Sequence, residues 1–136
     1  MKNLILAFAL LFCVSAFAQK QTVITMPNDA AAIVNAGVVK ATAKLDQNAR
    51  TVTLQSVVTK VSGTVGGKLV LWGSLDGVNY EKAATDTLIL ANQTTNIKVW
   101  KLDYNRYYYY RVIATGSGTM NATIANYIMP RKYEDE

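Results

Sequence analysis

Acid–base chemistry in this sequence would fall to carboxylates, because its 136 residues contain no histidine. That removes the commonest general base, the usual nucleophile triads and the commonest metal ligand. Asp76, Glu81, Asp86 and Asp103 fall near expected turns, and two such groups facing each other could serve as the acid and base of a glycosidase. Each also has a plainer reading. Asp76 precedes Gly77 in a turn, Asp86 and Asp103 end strands, and Glu81 is a solvated edge charge. Asp76, Asn79, Asp86 and Asn92 could lend oxygens to calcium, which loops of β-sandwiches often bind. No spaced acidic run of the D-x-D-x-D kind is present, so no metal site is assigned and no cofactor is expected. The expectation is a protein that is not an enzyme.

The aromatic residues carry more information. Trp72, Tyr80, Trp100, Tyr104 and the run Tyr107, Tyr108, Tyr109 and Tyr110 are numerous for this length, and exposed rings are how many modules stack on sugars or bases. Side chains alternate along a strand, so Tyr108 and Tyr110 are expected on one face and Tyr107 and Tyr109 on the other. One pair is expected in the core; the other covers the sheet, joins a protein interface or forms a ligand platform. Trp72, Asp76, Tyr80, Trp100, Tyr107 and Tyr109 are the candidate ligand or partner contacts.

Antiparallel strands must position these groups. Residues 68–80 (KLVLWGSLDGVNY) read as a β-hairpin, with Leu69, Leu71 and Gly73 on one face, Val70, Trp72 and Ser74 on the other, and Asp76-Gly77 as the turn. Residues 50–61 (RTVTLQSVVTKV) alternate Val52, Leu54, Ser56 and Val58 against a threonine-rich face, the pattern of a half-buried strand. Further strands are expected over 21–26, 40–46, 86–90, 94–102, 106–114 and 119–129, with Ile97 and Val99 opposite Lys98, Trp100 and Leu102 in the 94–102 segment. Residues 29–39 read as a loop or short helix leading into a weak strand. Seven or eight strands with little helical pattern predict an all-β fold, an antiparallel β-sandwich of immunoglobulin-like or jelly-roll type, with a small barrel as the alternative.

The N-terminus has secretory order: Lys2, an apolar run from Leu4 to Val14, then Ser15-Ala16-Phe17-Ala18. Residues 1–18 are expected to be a signal peptide, 19–130 a single sandwich domain and 131–136 a charged tail. The only cysteine, Cys13, lies in the signal, and bulky Phe12 before it argues against lipidation. The mature chain is expected to have no disulfide and no transmembrane anchor. The formal net charge of +5 is spread over single lysines, which suits solubility or an anionic surface better than specific nucleic-acid binding.

From Ser56 to Met129 the order of turn motifs, with GTVGG, GSLDGVNY, DTLIL, KVWKL, YYR and GSGT in succession, resembles small β-sandwich virion proteins of tailed bacteriophages of Bacteroidetes-type hosts. The resemblance implies a structural or accessory role on a capsid or tail, with other virion proteins or copies of itself as partners. GSLDGVNYE also resembles the GSNDGxxW turn of discoidin-like carbohydrate-binding sandwiches. Two functional expectations follow: a virion-associated assembly or decoration protein, or a secreted or surface adhesion module that binds host glycans. Location on the particle distinguishes the first, and glycan binding by soluble protein the second.

Overall fold

A computed structural model describes residues 22–46 and 48–132. The expected signal peptide lies outside the described residues. Ten strands run in the order β1 (Ile24–Met26), β2 (Ile33–Val34), β3 (Val38–Lys44), β4 (Ala49–Ser62), β5 (Gly66–Ser74), β6 (Glu81–Lys82), β7 (Leu88–Ile89), β8 (Thr95–Leu102), β9 (Tyr109–Ser117) and β10 (Asn121–Lys132). One sheet has the order β1-β10-β4-β8, with β2 also on β10; the other has the order β3-β9-β5-β6, with β7 also on β5. All of these pairings are antiparallel.

The pairing is nested. β1 meets β10, β3 meets β9, and β4 lies between β10 and β8, so the first part of the chain pairs with the last and alternates between the sheets. That is the jelly-roll order, which settles the choice left open among sandwich types.

Strand alternation explains the core. On β4, Val52, Leu54, Ser56 and Val58 turn inward, as their spacing predicts. The three apolar members of this row meet Leu69 and Leu71 of β5, Tyr110, Val112 and Ala114 of β9, and Ala122, Ile124 and Ile128 of β10 in one buried cluster. Burying each valine, leucine or isoleucine side chain of this cluster contributes roughly 1.5–3 kcal/mol before the entropy of ordering the chain is charged against it. Ser56 is the polar member of its row, and its hydroxyl donates to buried Asn126.

Several expectations are corrected. The segment before β3 contains β2 and a turn at Ala36 (φ 55°) rather than a short helix. The β5–β6 hairpin is real but brief: β6 pairs only at Trp72–Lys82 and Gly73–Glu81, and residues 75–80 form a wide loop instead of a two-residue turn. The long partner of β5 is β9, paired from Gly66–Ser117 to Ser74–Tyr109. In the 86–90 segment only Leu88 and Ile89 pair. β10 extends through Lys132, into the stretch read as a tail.

Candidate functional site

The loop 75–80 and the connection from β8 to β9 meet at one tyrosine of that connection, Tyr107. Asp76 organises the first of these. Its Oδ1 accepts from the Ser74 hydroxyl and from the backbone N–H groups of Val78 and Asn79, each at 2.8 Å, and its Oδ2 accepts from the Asn79 side-chain amide at 2.7 Å. These bonds, led by the Asn79 and Val78 amides, hold its carboxyl well below the usual carboxylate range. Gly77, at φ 78°, takes a left-handed conformation that a side chain would strain. Asp76 is thus the loop's structural anchor, with both oxygens committed.

Tyr107 precedes β9. Its hydroxyl donates to Glu81 at 2.6 Å, and its ring meets Tyr110 edge-on at 5.8 Å between centroids. The bond to Glu81 raises the Tyr107 hydroxyl above its ordinary pKa. Tyr110 is fully buried and donates to Asn105 Oδ1 at 2.8 Å; burial pushes it up to about 12. The expected alternation fails because residues 105–108 are not strand. Tyr110 faces the core with Tyr107 packed against it, whereas Tyr108, which should share its face, is 38% exposed.

Two hollows meet at Tyr107. One, of about 370 Å³, is lined by Asp76, Asn79, Tyr80, Glu81 and Tyr107. The other, of about 310 Å³, lies between the strands of opposite sheets and takes Lys82 from β6, Lys101 from β8, and Asp103, Tyr104, Arg106 and Tyr107 from the connection. The structure therefore gathers Asp76, Tyr80 and Tyr107 from the candidate contacts.

Trp72 and Tyr109 lie on the outer face of the second sheet. There Trp72 is the cross-strand partner of Arg111 and Lys82. The Arg111 guanidinium stacks 3.8 Å from the centre of the Tyr80 ring, and its Nε donates to the Thr42 hydroxyl at 3.0 Å. Lys44 sits 5.6 Å from the centre of Tyr109. The Tyr80 hydroxyl is buried without a hydrogen-bond partner among the described residues.

Trp100 leaves the candidate set. It is 2% exposed and donates its Nε1–H to the Asp86 carbonyl at 3.2 Å, so it is a core residue. The calcium candidates do not converge either. Asp86 pairs with Lys98, while Asn92 Oδ1 accepts from Lys60 at 3.0 Å and from the Val65 amide at 3.1 Å. Among the described residues no three His, Cys, Asp or Glu side chains cluster as metal ligands. Sequence reasoning missed the cations Lys82, Lys101, Arg106 and Arg111. The one local signal was that Arg106 and Arg111 bracket the tyrosine run.

No family model matches the sequence, and no curated protein matches it. Among solved structures the fold is similar to the PBSX exported protein XepA, with a TM-score of 0.60 at 12% identity over 85% of this chain. The match spans only 38% of XepA. The Yersinia pseudotuberculosis-derived mitogen matches with a TM-score of 0.49 at 13% identity, covering 85% of this chain and 90% of that one. The Tobacco streak virus coat protein matches with a TM-score of 0.44 at 8% identity, covering 88% and 92%. At such identities the likeness is one of fold.

Proposed function

We propose that this chain is a non-enzymatic structural or accessory protein of a phage particle, assembling through sheet edges with further copies of itself. The observation that carries the reading is the edge of the first sheet. β8 pairs with β4 alone among the described strands, so one side of its backbone is open to a further strand. Its outer face places two exposed apolar side chains, Ile97 at 56% and Val99 at 43%, between Thr95 and Lys101. Behind them the rows Ile97–Val57–Ala125 and Val99–Gln55–Tyr127 continue across the sheet. The opposite edge of this sheet ends in the three-residue β1, and the β3 edge is shielded by Asp29, which bonds both backbone groups of Lys40.

Antiparallel pairing of β8 with a second β8 can set Ile97, the most exposed apolar side chain of the strand, on the two-fold axis. Thr95 then faces the partner's Val99 and Asn96 faces the partner's Lys98, so no like charges oppose each other. A two-fold contact of this kind closes on itself and gives a dimer rather than a fibre. Stoichiometric recovery of the protein from purified particles, together with a concentration-dependent dimer in sedimentation, is the expected result. A protein found only in culture supernatant and monomeric at every concentration overturns it.

A second reading, a secreted carbohydrate-binding sandwich, is favoured by the cleft at Tyr107, where aromatic rings and hydrogen-bonding side chains line one concave surface. Retention of soluble protein on a glycan surface tests that reading.

A further inference from the structure

Within the carbohydrate-binding reading, we propose that the cleft between β6 and β8 binds an acidic saccharide, one bearing carboxylate or sulfate groups. Three cations converge on it, Lys82, Lys101 and Arg106, and none forms an ion pair among the described residues. Lys82 is steadied by donating to the Thr85 carbonyl at 3.0 Å, which leaves two of its three ammonium hydrogens for a ligand. Three cations against the single carboxylate of Asp103 leave the concave site a net positive potential, focused on whatever enters. The cleft, at about 310 Å³, falls within the roughly 300–1,000 Å³ typical of small-ligand sites.

The aromatic groups divide the work. The Tyr107 and Tyr110 hydroxyls are already spent on Glu81 and Asn105, so these two residues form a fixed wall. Tyr104, 71% exposed at the rim, is the ring free to lie against a sugar face. Asp103 decides between polyanions. A sugar donates hydroxyls to that carboxylate while its own acid group meets Arg106 and the lysines, whereas a phosphodiester chain has few donors to offer it and is repelled. The site therefore suits an acidic sugar better than nucleic acid.

The test is calorimetric titration of the full chain with four probes at one ionic strength: an oligogalacturonate, a sulfated heparin oligosaccharide, a neutral malto-oligosaccharide and single-stranded DNA. Binding of at least one acidic saccharide is expected, weakened about tenfold, equivalent to about 1.4 kcal/mol, by Arg106→Gln and by Tyr104→Ala. Lys40→Gln, which removes the same charge from the other end of the second sheet, is expected to leave it within about twofold, about 0.4 kcal/mol. Equal loss in Lys40→Gln, or binding of DNA without saccharide, overturns the proposal. Binding of the neutral sugar with no effect of Arg106→Gln overturns the acidic specificity while leaving the carbohydrate reading intact. No binding to any saccharide overturns both.

Discussion

The ring of Tyr107 occupies the space a side chain at residue 73 would need: a Cβ built on Gly73 would stand 2.3 Å from the ring's Cδ2. Tyr107 cannot easily retreat, because its hydroxyl is held by Glu81 and its edge by Tyr110. Gly73→Ala is therefore expected to cost about 1–3 kcal/mol through overpacking. Urea unfolding measures that loss. An unchanged midpoint would show that the ring is free to move and that the wall of the cleft is not rigid.

A polar chain, buried at Ser56 and Asn126 and half-buried at Asn28, joins three segments. Ser56 donates to Asn126 Oδ1, the Asn126 amide donates to Asn28 Oδ1 at 2.9 Å, and the Asn28 amide donates to the Ile124 carbonyl at 2.7 Å. Ser56→Ala removes the first donor and leaves an oxygen in the core with one bond fewer. A loss of about 1–3 kcal/mol is expected in the same denaturation experiment. Stability equal to wild type would mean that water or a rotated Asn126 satisfies the oxygen.

Asp76 links the loop to pH. The bonds it accepts favour its charged form in the folded protein, so its folded pKa lies below the ordinary value of 3.8. A depressed carboxyl contributes stability that is present above the unfolded value and lost as pH falls toward the folded one. Asp76→Asn should accordingly melt below wild type at neutral pH, with the gap closing as the pH drops under 3.8. Parallel melting curves at all pH values would contradict the role of its charge.

The two tryptophans were indistinguishable as ligand contacts in the sequence, yet they have opposite surroundings. Trp100 is 2% exposed behind the 86–92 segment, whereas Trp72 is half-buried on the outer face of the second sheet. In Trp72→Phe the remaining fluorescence should be blue-shifted and resistant to acrylamide. In Trp100→Phe it should be readily quenched, with a stability loss of about 1–3 kcal/mol. Equal quenching in both variants would place Trp100 at the surface.

What the sequence made legible was periodicity. Alternation at Val52, Leu54, Ser56 and Val58 places β4 with its inner face correctly, because a long central strand is dominated by one buried row. β8 was harder. Its two faces separate as expected, but the inward set contains Asn96 and Trp100, and buried Asn96 is satisfied through both backbone groups of Ala91 and the side-chain amide of Gln93, contacts outside any strand pattern. The tyrosine run misled for a related reason, since alternation holds only where β9 begins, at Tyr109. The cleft was invisible because Lys82, Lys101 and Arg106 come from two sheets and a connection, and only the nested strand order brings them together.

The open β8 edge yields the sharpest prediction. If Ile97 lies on the axis of a dimer, Ile97→Lys sets two ammonium groups against each other there, and like charges directly opposed on adjacent strands are destabilising. The side chain is 56% exposed in the single chain, so the monomer should fold and melt nearly as wild type does, with a change within about 0.5 kcal/mol. Sedimentation should then show a monomer at concentrations where wild type dimerises. Tyr127→Ala, two strands away on the same face, should leave the dimer in place, because backbone pairing at the edge does not reach it. A dimer that survives Ile97→Lys but is lost in Tyr127→Ala would instead put the contact on the face of the sheet, with the two sheets stacked rather than joined.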